Sequence, residues 1–166
     1  MAAAVQVPAY IGLGSNLGDP VAQLRRALAA LERLPGTRLV AVSSFYGNPP
    51  MGPQDQPDFV NAVAGLLTTL PAEELLAALQ AVEDAQGRRR DGPRWGPRTL
   101  DLDLLAYGDL RLDSEALTLP HPGLATRPFV LVPLQEIAPG LRLPGGASVA
   151  RLAAAARRDG LARLDD

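Results

Sequence analysis

The chain has 166 residues, 47% hydrophobic and 20% charged, with a net charge of −2. That balance fits one folded domain and argues against both disorder and a protein that coats nucleic acid by general electrostatics. There is no cysteine and the 16 basic residues are all arginine, which excludes disulfides, thiolate catalysis, a Walker-type phosphate lysine and a Schiff-base lysine.

No apolar run reaches the ~18 residues of a membrane span, and the N-terminus does not read as a signal peptide. The cytoplasm is the expected compartment, with no membrane or nucleic-acid partner. Residues 5–14 predict a first strand. Gly12, Gly14 and Gly18, around Ser15-Asn16, resemble a phosphate-cradling turn. No Lys-Ser/Thr follows them, so tight turning and close packing are the expected use of these glycines. A helix comes next, with Asp19 as N-cap and Pro20 in its first position. Val21, Leu24, Leu28 and Leu31 form its apolar stripe, and Pro35-Gly36 ends it.

Residues 38–46 predict a second strand and 59–69 a third, with Phe59, Asn61 and Val63 on one face of the latter. The intervening segment, 47–58, holds four prolines. It is much longer than a turn between adjacent strands requires, which marks a working loop. The second helix is expected over 71–86, opened by Pro71, Glu73 and Glu74 and stopped by Gly87. Leu75, Leu76, Leu79 and Val82 face the core. Glu83 falls in the last turn, where its charge opposes the helix dipole, which suggests that it orients an arginine or a hydroxyl group. Gln80 shares its flank.

Residues 87–98 form a second irregular segment carrying Arg88, Arg89, Arg90, Arg94 and Arg98, with only Asp91 opposing them. It leads into Leu100-Asp101-Leu102-Asp103-Leu104, whose alternation predicts a half-buried strand. The leucines then point inward, and the two carboxylates share the other face roughly 7 Å apart. Oxygen ligands of this kind suit Mg²⁺ or Mn²⁺, and neighbouring guanidiniums suit a polyphosphate bridging to the metal. The competing reading is a solvated strand face beside a basic loop.

A turn at Gly108-Asp109 is expected to form a hairpin to a short strand at 110–112. The order β-α-β-β-α-β predicts an α+β fold with a ferredoxin-like core. Its sheet is mainly antiparallel, with helices on one face and two long loops able to fold over the other. Leu119–Gly123 is a turn holding the only histidine, His121. Residues 124–137 read as wholly or partly helical, with Arg127 and Phe129 near the start, and Ser148–Arg158 as a terminal amphipathic helix with a frayed end. No repeat is evident, and 1–166 reads as a single domain.

Together these segments closely resemble the 6-hydroxymethyl-7,8-dihydropterin pyrophosphokinases of folate biosynthesis. The resemblance is carried by Tyr10–Gly18, Ser43–Tyr46 and Pro49–Asn61, then by Glu83 with Gly87-Arg88. Arg94-Trp-Gly-Pro-Arg-Thr-Leu-Asp-Leu-Asp103, Pro120-His121 and Arg127-Pro-Phe129 complete it. It spans about 9 to 145, and the Arg94–Asp103 string is its most specific part. The resemblance implies transfer of pyrophosphate from ATP to a pterin hydroxymethyl group, releasing AMP, by an enzyme expected to be a monomer. It implies two Mg²⁺ on Asp101 and Asp103, with Arg88 and Arg98 closing over the phosphates. Nucleotide contacts are implied at Gln80, Glu83, Arg90, Arg94, Trp95, Arg98, Leu104, Thr118, His121 and Arg127. Pterin contacts are implied at Asn48, Pro49, Met51, Phe59, Asn61, Trp95 and Phe129.

Three positions depart from the family pattern: Pro122 where tyrosine is frequent after Pro-His, and Asp91 and Ala116 where cations occur. All three bear on nucleotide affinity rather than on the metal ligands. The alternative is a ferredoxin-like binding module for RNA or a small ligand. Such sheets stack bases on several exposed aromatics, whereas this chain has 1 Trp, 3 Tyr and 3 Phe.

Overall fold

The computed structural model describes residues 5–49, 56–87 and 99–164. At its centre β1 (Val7–Ser15) pairs antiparallel with β4 (Phe59–Thr68) on one side and β5 (Asp101–Tyr107) on the other. Two short strands, β2 (Thr37–Val42) and β3 (Tyr46–Asn48), lie end to end along the far edge of β4. Outside β3 lies β8 (Ala162–Arg163). A separate pair joins β6 (Leu112–Asp113) to β7 (Thr118–Leu119).

Helices α1 (Pro20–Glu32) and α2 (Ala72–Ala85) cover one face. The Asp19 carboxylate accepts the Ala22 N–H at 3.2 Å, so the expected cap forms. Alternation along the strands turns Ile11, Leu13, Leu66, Leu102 and Leu104 towards Leu24 and Leu31 of α1 and Leu75 and Leu79 of α2. Each such side chain stabilises the fold by about 1.5–3 kcal/mol. The βαββαβ core and its two helices are as expected from the sequence. Two further helices, α3 (Pro128–Ile137) and α4 (Val149–Ala155), pack on the second face through Val130, Leu131, Leu134 and Val149 against Val63 and Leu105. They occupy one end of that face, and the site lies at the other.

Three expectations need correction. The single strand expected over 38–46 is two, because the pairing to β4 slips by one residue between Val42↔Ala64 and Tyr46↔Asn61. Ser43 bridges the gap: its N–H donates to the Val63 carbonyl and its hydroxyl accepts the Val63 N–H, both at 2.9 Å. The strand expected after Gly108 does not return along β5; Leu112 and Asp113 pair with Leu119 and Thr118 instead. Of residues 124–137, expected to be wholly or partly helical, those from Pro128 form the helix. The terminal helix stops at Ala155, and the chain continues into β8.

Candidate active site

The second face opens on a cavity of about 930 Å³. Its floor is set by the register of β1. Gly14 lies between Asp101 of β5 and Asn61 of β4, and Gly12 between Asp103 and Val63. Directly paired residues share a face, so Asp101, Asp103 and Asn61 look out over two residues that have no side chain. Gly12 and Gly14 therefore belong to the strand itself, as packing residues. At Gly14 a Cβ would come 2.7 Å from the Asn61 Oδ1, so that amide occupies the space the glycine leaves.

One wall is aromatic and neutral. Phe59 and Phe129, both half-buried, line the cavity together with Pro49, Asn48 and Asn61. The one-residue slip before β3 makes this possible. In the unslipped register Phe45 would face Asn61; with one residue inserted, Tyr46 and Asn48 take that face and Phe45 packs on the helix side. Asn61 then donates its amide N–H to the Asn48 Oδ1.

The opposite wall is charged. Asp101 and Asp103 are partly exposed, while Leu100, Leu102 and Leu104 are buried beneath them. β5 carries an extra residue, Leu105, where its pairing with β1 shifts between Tyr10 and Ile11. The carbonyl of that bulged residue accepts the His121 N–H at 2.8 Å, which ties the His121 turn to β5 beside Asp103. His121 Nε2 lies 3.9 Å from Asp103 Oδ1. The ring's other nitrogen, Nδ1, accepts the Gly123 N–H at 3.0 Å, so a neutral ring carries its proton on Nε2. Burial, and then the Arg127 charge, hold the imidazole below its ordinary pKa against the pull of Asp101. His121 is therefore a neutral donor. Arg127 folds across Gly123, where a Cβ would come 2.4 Å from its guanidinium carbon, and lies 6.0 Å from the Phe129 ring centre.

Glu83 reaches β5 from the last turn of α2. It is 2% exposed, and its carboxylate accepts the Leu102 N–H at 2.7 Å. Among the described residues β5 is an edge strand, so this bond satisfies an outward N–H between the two aspartates. The charge that opposes the helix dipole is thus fixed to the strand. The Leu104 side chain lies in the helix-side core, which leaves its backbone as the part that can meet a ligand. Gln80 is exposed on α2 and Thr118 half-buried in β7; neither is among the described residues that line the cavity. Ala116 is exposed, and Pro122 lines the cavity. Met51, Arg88, Arg90, Asp91, Arg94, Trp95 and Arg98 lie outside the described residues. Sequence reasoning missed Asp159 and Leu161, which also line the cavity. The expected terminal helix ended at Arg158, and two paired residues beyond it leave almost no signal in the sequence.

The donor chemistry fits a hard dication. Two carboxylates project from one strand face into an open cavity, and among the described residues no group of three or more His, Cys, Asp or Glu forms a closed cage. Mg²⁺ is commonly held this way, with phosphate and water completing its shell.

A family model for 7,8-dihydro-6-hydroxymethylpterin-pyrophosphokinase (HPPK) matches residues 10–139. The chain belongs to this family. It is 55% identical to the 2-amino-4-hydroxy-6-hydroxymethyldihydropteridine pyrophosphokinase of Pseudomonas aeruginosa over 155 residues, 93% of this chain and 95% of that protein. The Haemophilus influenzae protein of the same name is 53% identical over 88% of this chain and 91% of its own length. Among solved structures, the Plasmodium falciparum HPPK-DHPS triple mutant S436F/A437G/A613T with pteroate matches with a TM-score of 0.73 at 12% identity. That match covers 95% of this chain and 46% of the longer one. The fold is thus that of an HPPK domain, and this chain spans just under half the length of the Plasmodium protein.

Proposed function

We infer that this protein transfers pyrophosphate from ATP to the hydroxymethyl group of 6-hydroxymethyl-7,8-dihydropterin, a step of tetrahydrofolate biosynthesis. The observation that carries this reading is one cavity with two unlike walls. A strand end bearing two carboxylates faces an aromatic and amide pocket across a floor of glycine. A flat heterocycle suits the second wall and a metal-bound polyphosphate the first.

In this reading the ring lies against Phe59 and Phe129, each aromatic contact adding about 1 kcal/mol beyond area burial. Asn48 fixes the Asn61 amide, so the Asn61 Oδ1 above Gly14 presents an acceptor to a ring N–H. An unmet partner there would cost more than a poor shape fit, which makes Asn61 the discriminating group. The hydroxymethyl oxygen attacks the β-phosphorus, and the α–β bridging oxygen departs with AMP. The Nε2–H of His121 and the guanidinium of Arg127 supply donors to the phosphate oxygens. Asp101 and Asp103 would hold Mg²⁺, two ions by family resemblance, whose chemistry is to polarise the phosphates and lower the pKa of the attacking hydroxyl. Arg88 and Arg98 are assigned to the phosphates in this proposal, Arg90 and Arg94 to the nucleotide, and Trp95 to both nucleotide and pterin. Met51 joins the pterin side. Glu83 acts through β5, and Gln80, Thr118 and the Leu104 backbone are assigned to the nucleotide margin. Positioning and electrostatic stabilisation carry the rate.

The chain is taken as one domain, monomeric and cytoplasmic. Among the described residues no helix is long and apolar enough to cross a membrane. The binding-module alternative is disfavoured by the two acidic side chains on the face that would have to meet phosphate. The deciding experiment is nucleotide product analysis after mixing protein, Mg²⁺, ATP and the dihydropterin. Pterin-dependent AMP is expected; ADP would place the attack on the wrong phosphorus, and no turnover by folded protein would reinstate the binding module.

A further inference from the structure

The family match ends at residue 139, yet the cavity does not. Asp159 and Leu161 line it together with Asn48, Pro49 and Phe59. The segment that carries them is anchored at three points. After α4 the chain turns at Gly160, where φ is +78 and the Leu161 N–H donates to the Arg158 carbonyl at 3.0 Å. A side chain is disfavoured by that backbone angle and also has no room, because a Cβ would come 2.8 Å from Pro49 Cγ and Cδ. The backbone of the turn therefore rests on the proline ring. Beyond it, Ala162 and Arg163 pair with Gly47 and Tyr46, and the Leu164 N–H donates to the Phe45 carbonyl at 2.8 Å.

These contacts have a direction. β3 has three residues, and one of its edges is taken by β4. The other edge would be open without β8, and a strand this short gains much of its definition from its neighbours. β3 is also the strand that aims Asn48 at Asn61. A segment bonded to its outer edge both fixes that amide pair and brings Leu161 to the neutral end of the cavity.

We propose that residues 159–164 form a strap that completes the pterin pocket, with Leu161 as an apolar wall against the ring and Gly160 as the residue that seats the strap on Pro49. This rests on the reading of the cavity as a dihydropterin and ATP site. Leu161 is assigned to the heterocycle because Pro49, Asn48 and Phe59 adjoin the strap, whereas its strand pairing is remote from Asp101 and Asp103 across the sheet.

The test compares unaltered protein with Leu161→Ala and Gly160→Val. Steady-state KM is measured for both substrates, and binding of the dihydropterin and of a non-hydrolysable ATP analogue is measured directly by calorimetry. Leu161→Ala is expected to weaken the dihydropterin by roughly tenfold, the scale of a few lost methylenes in an apolar pocket, while ATP-analogue affinity stays within about twofold. Gly160→Val should do the same by unseating the strap. Should it fail to fold, Leu161→Ala decides alone, since it removes only atoms at the cavity wall. Equal losses for both substrates, or an unchanged dihydropterin KM in active enzyme, would overturn the strap assignment alone. No dihydropterin binding and no AMP from unaltered protein would overturn the underlying reading, and the strap's ligand with it.

Discussion

A methyl group at position 14 would sit 2.7 Å from the Asn61 Oδ1, closer than a carbon and an oxygen can approach without one moving. Asn61 is the softer party, but Asn48 holds its other end, so relief must come from rotating the amide away from the cavity floor. Gly14→Ala is therefore expected to raise the dihydropterin KM by about tenfold or more, the cost of one unmet polar contact. ATP affinity should move less, because the atoms nearest the new methyl belong to Asn61 and Phe59 rather than to the paired Asp101. Kinetics with each substrate varied in turn would check this, and an unchanged pterin KM would mean that Asn61 does not read the ring. The candidate site was legible to different degrees. That Asp101 and Asp103 share the face away from the helices followed from alternation, since period two leaves no other face for them. Glu83 stood out by its unfavourable place in the helix, but its bond to the backbone N–H of Leu102 is one that a sequence does not mark. The glycines at 12 and 14 looked like a turn because their role depends on what lies across two strand pairings.

At the scale of elements, the register slip between β2 and β3 was invisible in the hydrophobic pattern, where 38–46 read as one strand. What fixes it is a polar clamp from the far helix. Glu136 of α3 accepts the Tyr46 hydroxyl at 2.6 Å, the Ser44 N–H at 2.8 Å and the Ser44 hydroxyl at 2.9 Å. Partial burial pushes the Glu136 carboxyl up, but the bonds from Tyr46 and Ser44, with Arg163 nearby, hold it below its ordinary value. A carboxyl depressed in the folded state contributes stability above its unfolded value near 4.5 and loses it as pH falls through the folded value. Glu136→Gln should lower Tm at pH 7 by roughly 2–4 °C, on the order of 1 kcal/mol because the side chain is largely exposed. The gap to unaltered protein should close as the pH drops below about 4.5. Thermal melts from pH 3 to 8 would show it, and a gap independent of pH would assign the loss to shape rather than charge. At the alkaline end burial, then the Glu136 bond and charge, push Tyr46 up to about 12. The protonated phenol thus adds stability below about pH 10 that is lost as pH rises towards 12.

For the molecule as a whole, the site draws on residues from Gly12 to Leu161, so the sheet must be complete before the cavity exists. The order of the core elements was legible because strand and helix periods differ. The strap was not, since two paired residues leave almost no periodic signal. The same incompleteness sets the ligand energetics. With only two carboxylates on the open strand face, Mg²⁺ alone should bind weakly, and ATP alone should meet unshielded negative charge. Each should therefore shift Tm little when added singly. Added together, at about 100 times the dissociation constant of the complex, they should stabilise the fold by about 2.7 kcal/mol. That is roughly 5–10 °C for a domain of this size, and EDTA should reverse it. In Asp103→Asn the fold should persist while the metal-dependent part of the shift disappears. A full shift with Mg²⁺ alone would reveal a dedicated metal cage, and an undiminished shift in Asp103→Asn would remove that residue from the nucleotide site.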